Sequence, residues 1–187
     1  TTQEKYASVS PIEFTEPYRA ARALLDHTHH GYYKTERQKW QDGLVHEILG
    51  KDPDGNLPTT NPSGQRNPSI FFTGGSMGSG KGYVKKFLQA KGMLPAAQSG
   101  IVDIDMDEIR KRFREWKTFK EEDPTTAGRR TQREAGYIAE IAQRAALING
   151  QNILVDGSLK DSDWYAEVLK GIEGKYSQYK IVLLFTD

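Results

Sequence analysis

Hydrophobic and polar positions follow two rhythms along the chain, and the change between them falls near its first third. Trp40, Leu44, Val45 and Ile48 recur at helical spacing and predict a helix over 35–49, with a shorter helical stretch over 17–27. Residues 51–68, KDPDGNLPTTNPSGQRNP, hold four of the eight prolines and only one other apolar residue, Leu57, so neither helix nor strand propagates there. Beyond them, short apolar runs alternate with amphipathic stretches. The runs at 69–73, 101–104, 152–155 and 180–185 read as strands, and 81–91, 107–117, 131–149 and 161–176 read as helices. That alternation implies an α/β fold, a parallel sheet with flanking helices. The expected organisation is an N-terminal helical arm over 1–50, a linker or loop over 51–68, and an α/β core over 69–187.

The first core strand, SIFFT, runs directly into GGSMGSGKG and then into a helix opening with Tyr83, Val84, Phe87 and Leu88. Gly75, Gly80 and Lys81 satisfy the G-x-x-x-x-G-K part of a phosphate-binding loop. Glycines let consecutive backbone N–H groups converge on phosphate oxygens, the helix N-terminus adds positive potential, and the lysine neutralises the β and γ phosphates. Gly75, Ser76, Met77, Gly78, Ser79, Gly80, Lys81 and Gly82 are thus the expected ATP phosphate site. The alternative is a glycine-rich turn with an exposed lysine. Gly82 stands where the motif ends in Ser or Thr, whose hydroxyl ligates Mg²⁺, so the metal's protein ligand stays unassigned. Ser79 or an acidic strand end are candidates for it.

Two strands end in carboxylates, at the sheet edge where open parallel sheets collect ligands. In IVDIDMD, Asp107 is either the general base that accepts a proton from an attacking hydroxyl or the N-cap of the helix that follows, bonding the N–H of Arg110. Asp103 is read as structural. In NILVDGS, Asp156 is either the acidic partner of the phosphate loop or half of a turn-forming Asp-Gly pair. Within TQREAGYIAEIAQRAALING, Glu134 lies on the face that carries Ile138, Ile141, Ala145 and Ile148. Placed in the first turn of that helix, it either holds a substrate hydroxyl or complements the helix dipole.

Charge and composition narrow the function. With 26 basic and 25 acidic residues the formal net charge is +1, which argues against a polyanion binder and so against nucleic acid as the partner. The absence of cysteine removes disulfides, thiolate metal sites and cysteine nucleophiles. No apolar run suits a membrane span and the first residues lack a signal-peptide pattern, so a cytoplasmic protein is expected. His27, His29 and His30 beside Gly31 read as a solvated turn rather than a metal site. Arg110, Lys111, Arg112 and Arg114 read as a solvated helix face, with Arg110 near enough to the acidic strand end to reach a phosphate; Arg129 and Arg130 stay ambiguous.

The loop, IDMDEIR, REAGYIAEIAQRAAL and ILVDGS, in that order, resemble the zeta toxin family of small-molecule kinases. The resemblance spans roughly 69–187 and implies a P-loop nucleotide-kinase-like fold. It also implies Mg²⁺-dependent transfer of the ATP γ-phosphate to a ribose or sugar hydroxyl of a nucleotide-linked metabolite, such as UDP-N-acetylglucosamine or NAD. Carried over position by position, Lys81 matches the phosphate-loop lysine and Asp107 the catalytic base. Glu134 matches a substrate-contacting glutamate, while Asp156 and Ser158 match substrate-binding positions where the family usually has Glu and Thr or Ser. The family carries its lid arginines beyond the fourth core strand, so this chain is expected to end before the lid. An antitoxin-like inhibitor protein is a further implied partner. The alternative function is a nucleotide-binding regulatory module with impaired catalysis.

Overall fold

The computed structural model describes residues 1–50, 67–76, 78–94, 100–157, 159 and 162–186. In chain order its elements are α1 (Thr2–Tyr6), β1 (Ala7–Ser8), α2 (Arg19–Arg22), α3 (His27–His30), β2 (Tyr32–Tyr33), α4 (Thr35–Ile48), β3 (Ser69–Gly74) and α5 (Lys81–Ala90). They continue with β4 (Val102–Asp105), α6 (Met106–Lys111), α7 (Trp116–Glu122), α8 (Pro124–Ile148), β5 (Ile153–Asp156), α9 (Ser162–Lys175) and β6 (Lys180–Phe185). Packing groups them into two units, one of Thr1–Leu49 with Asp105–Ala145, the other of Gly50–Ile104 with Ala146–Asp187. Most of the loop expected over 51–68 lies outside the described residues.

The second unit holds the four-stranded parallel sheet, in the order β4-β5-β3-β6. Its strands fall where the apolar runs place them. β3 pairs in register with β5, from Ile70 opposite Ile153 to Thr73 opposite Asp156, and with β6, from Ser69 opposite Lys180 to Gly74 opposite Phe185. Alternate residues of β3 face opposite sides of the sheet. Phe71 clusters with Leu154, Leu94 and, from α5, Leu88. Phe72 meets the ring of Tyr165 of α9 edge-on at 6.1 Å. The two helices therefore cover opposite faces, which is why SIFFTG carries no exposed residue. β3 connects through α5 toward β4, and β5 connects through α9 toward β6. The connections diverge from the carboxyl ends of neighbouring strands, the arrangement that opens a crevice in α/β sheets.

The first unit joins the arm to α6, α7 and the first part of α8. Here local pattern and outcome differ. The helix expected over 17–27 shrinks to the single turn α2, a second turn, α3, begins only at its last residue, and the arm also contains a short antiparallel pair, β1 with β2. The helix expected over 107–117 breaks between α6 and α7, because Phe113 is drawn edge-on against Trp40 of α4, 5.2 Å between rings, and Glu115 turns inward to Arg37. α8 starts at Pro124 rather than near 131. Pro suits the first helical position, and the Asp123 carboxylate accepts from Thr125 N at 2.9 Å. Burial of Ala127 and Thr131 overrides the weak helix propensity of TTAG.

Of the three histidines read as a solvated turn, His29 is exposed, whereas His27 and His30 are packed. His27 stacks between Phe14 and Tyr32, with ring centroids 4.8 and 4.9 Å away. His30 is buried, with Nε2 3.0 Å from Glu140 Oε1, and Tyr33 stacks on Tyr137 at 5.1 Å. Among the described residues no group of three or more His, Asp or Glu is placed to hold a metal ion, and no helix is long and apolar enough to cross a membrane.

Candidate phosphate-binding site and its acidic neighbours

After Gly74 the chain leaves β3 through backbone conformations closed to most residues. Gly75 has φ 144°, and Gly78 and Gly80 have φ 85°. At Gly75 there is also no room: a Cβ would fall on Thr186 and within 2.6 Å of Ser79 Oγ. Thr186, just past β6, ties the loop to the sheet. Its N–H donates to Gly74 O at 3.0 Å, its hydroxyl lies 3.3 Å from the same oxygen, and Ser79 Oγ lies 2.7 Å from Thr186 Oγ1.

Gly80 is the N-cap of α5, and the first turn of that helix contains no acidic side chain, so its free N–H groups and positive dipole end face the loop unneutralised. Lys81 opens the helix and folds back, donating through Nζ to Gly75 O at 2.8 Å and to Ser76 O at 3.0 Å. An ammonium has three N–H donors, so one remains for a phosphate oxygen with both carbonyl bonds intact. Gly82 is exposed and nothing lies within 4 Å of where its Cβ would be; its lack of a hydroxyl is not imposed by space.

Asp156 ends β5 opposite Thr73. The Thr73 hydroxyl donates to Asp156 Oδ1 at 2.7 Å and accepts from Gly157 N at 3.3 Å. Gly157 fits because a Cβ there would meet the Tyr165 hydroxyl at 2.9 Å. Asp156 and the loop thus belong to the same unit, on adjacent strand ends.

The other acidic residues belong to the first unit. Asp105, the last residue of β4, is the N-cap of α6: its Oδ1 accepts from Asp107 N at 2.8 Å and Glu108 N at 3.2 Å. The capping role considered for Asp107 therefore falls to Asp105. The Asp107 side chain, 77% exposed, accepts from Arg110 Nη1 at 2.5 Å. Arg110 bonds Gln132 as well. Arg130 pairs with Glu122 and lies over the Phe119 ring at 3.6 Å.

Glu134 sits well inside α8 rather than in its first turn, which removes the helix-dipole explanation. It is 0% exposed. Oε1 accepts from Arg37 Nε at 2.6 Å and Gln41 Nε2 at 2.8 Å, and Oε2 accepts from Arg37 Nη2 at 3.1 Å. Arg37 Nη2 also reaches Glu115 Oε2 at 3.4 Å, and the Tyr6 hydroxyl donates to Glu115 Oε1. Burial works to raise the Glu115 pKa, but the Tyr6 hydroxyl, a backbone N–H, Arg37 and Lys5 outweigh it and hold it below the ordinary carboxylate value. Tyr33 is pushed upward, first by burial and then by the negative charge of Glu134.

Gly75, Ser76, Gly78, Ser79, Gly80, Lys81, Gly82 and Asp156 are grouped in one unit, Asp107 and Glu134 in the other. Met77 and Ser158 lie outside the described residues. Thr73, Asp105 and Thr186 were not singled out from sequence, nor were Arg37 and Gln41. For Arg37 and Gln41 a signal exists, since they continue the stripe of Leu44 and Ile48 on α4 with polar residues. Thr186 carries no comparable signal.

A family model described as Zeta toxin matches residues 56–187. A solved structure from the PezAT chromosomal toxin-antitoxin system of the human pathogen Streptococcus pneumoniae superposes with a TM-score of 0.58 at 21% identity. The match covers 83% of this chain and 58% of that one, so this chain spans less than two thirds of that structure's length. Comparison with curated protein sequences gives no match.

Proposed function

The chain belongs to the zeta toxin family, and we propose that it transfers the γ-phosphate of ATP to a ribose or sugar hydroxyl of a nucleotide-linked metabolite such as UDP-N-acetylglucosamine or NAD. The observation that carries this reading is the β3–loop–α5 geometry: left-handed glycines, an unneutralised helix N-terminus and Lys81 bent over the loop. In the proposed reaction the acceptor oxygen forms a bond to the γ-phosphorus, the bond from phosphorus to the bridging oxygen breaks, and ADP leaves. Lys81 and the loop N–H groups hold phosphate oxygens. Asp107 takes the acceptor's proton on its carboxylate, a role for which its exposed side chain is suited once Arg110 yields. Glu134, Asp156 and Ser158 are assigned to the acceptor.

Mg²⁺ needs few protein ligands, since phosphate oxygens and water fill most of its octahedron. Asp156 fits that demand: Thr73 fixes Oδ1, and among the described residues Oδ2 has no hydrogen-bond partner. Bound there, the ion would neutralise charge on the β and γ oxygens. An antitoxin-like inhibitor protein is the proposed macromolecular partner, by analogy with the toxin-antitoxin system of the solved relative.

Incubation with ATP, Mg²⁺ and each acceptor should give a phosphorylated product by mass spectrometry, absent in Asp107→Asn. ATP binding with no acceptor phosphorylated overturns the reading. Gly82, without the metal-binding hydroxyl, favours a second one, a nucleotide-binding regulatory module; that reading predicts ATP affinity independent of Mg²⁺.

A further inference from the structure

Glu134 occupies a face of α8 on which Ile138 and Ile141 are fully buried, where an ionised carboxylate is costly without partners. Every hydrogen-bond donor it has among the described residues comes from α4. Arg37 and Gln41 are four residues apart, hence one above the other on one helix face. The guanidinium fork meets both carboxylate oxygens, and the Gln41 amide adds a second bond to Oε1. The arm also fixes Arg37 independently of Glu134. The guanidinium carbon lies 3.9 Å from the Tyr6 ring centroid and 3.8 Å from that of Trp40, and both rings belong to residues 1–49.

We propose that the N-terminal arm is an autoinhibitory strap, in which Arg37 and Gln41 occupy the carboxylate that the acceptor hydroxyl requires. This rests on the reading of Glu134 as an acceptor contact. With the strap closed, a fully buried Glu134 meets no substrate. A hydroxyl and the Gln41 amide are both donors, so displacing Gln41 exchanges one donor for another at Oε1. Opening the strap carries Arg37 and Gln41 away together and exposes Glu134 to water and acceptor, so the carboxylate is never left buried without its counter-charge. A strap closed in most molecules lowers apparent acceptor affinity by the fraction open; closure in nine of ten raises the apparent KM about tenfold.

The test uses the full-length protein, with UDP-N-acetylglucosamine and NAD as acceptor probes and carbodiimide labelling of Glu134 read by peptide mass spectrometry. Wild-type Glu134 should label far more slowly than exposed Glu36. Gln41→Ala should speed that labelling and lower acceptor KM about tenfold with kcat unchanged, and Arg37→Lys, which keeps the charge but loses the fork, should act in the same direction. Wild-type Glu134 labelling as fast as Glu36 overturns the strap. So does a wild type that transfers phosphate while Gln41→Ala has an equal or higher KM, and in that case the acceptor reading of Glu134 stands. If Glu134→Gln transfers with wild-type KM, the acceptor reading itself fails and the strap falls with it.

Discussion

Thr73 and Asp156 meet across paired strand ends, the threonine hydroxyl donating to the carboxylate at 2.7 Å while its oxygen accepts from Gly157 N. One hydroxyl thereby fixes both the acid and the turn that follows it, beside the phosphate loop leaving β3.

Thr73→Val keeps the shape but leaves Asp156 Oδ1 and Gly157 N without this partner. A loss of about 1–3 kcal/mol of stability is expected, measured by urea unfolding, with Thr73→Ser close to wild type. Equal stability of the valine and serine variants would show that water replaces the hydroxyl without loss.

Gly75 and Gly82 should respond in opposite ways. Gly75→Ala drives a methyl into Thr186 and Ser79 from a positive-φ backbone, so the loop must shift. ATP affinity should fall at least about tenfold, the equivalent of one lost charged hydrogen bond, with far-UV circular dichroism unchanged. Gly82→Ser meets open space in a helix. It should fold as wild type and make ATP binding, measured by calorimetry, more dependent on Mg²⁺.

Among the described residues Lys81 bonds only loop carbonyls. Lys81→Met should therefore leave the thermal midpoint nearly unchanged while weakening ATP binding by roughly ten- to a hundredfold. A large drop in midpoint would instead make the lysine a structural tie of the loop.

Alkaline pH should unfold the protein cooperatively. Burial raises the pKa of Tyr137 from 10.0 to about 12, and burial also raises those of Tyr18, Tyr33 and Tyr179. Between those values the folded chain holds protons that the unfolded chain has released. The stability from these groups is intact below pH 10 and is lost as pH rises toward 12, by up to about 1.4 kcal/mol per pH unit for each tyrosine. Phenolate absorbance from these four should appear with the loss of helical circular dichroism; ionisation well ahead of unfolding would contradict their burial.

Much of the sheet was legible because its signals are local. Four apolar runs became four strands, and G-x-x-x-x-G-K predicted a loop whose glycines do adopt positive φ. The helices were less faithful where distant residues intervened. The break after Lys111 reflects Phe113 meeting Trp40, and the early start of α8 reflects burial of a segment whose own propensity is poor. Asp107 illustrates the limit at single-residue scale: spacing allowed it to cap α6, but Asp105, two residues earlier, points its carboxylate at the first N–H groups of that helix.

By itself the sequence determined the order of the four core strands and the phosphate loop, since period, glycine placement and a lysine at fixed spacing act over a few residues. Only the tertiary structure decided which groups satisfy the carboxylates. Glu134 finds Arg37 97 positions away in sequence, and Thr73 finds Asp156 83 positions away. A buried charge takes whichever donor the fold brings within about 3 Å, and no local pattern encodes that choice.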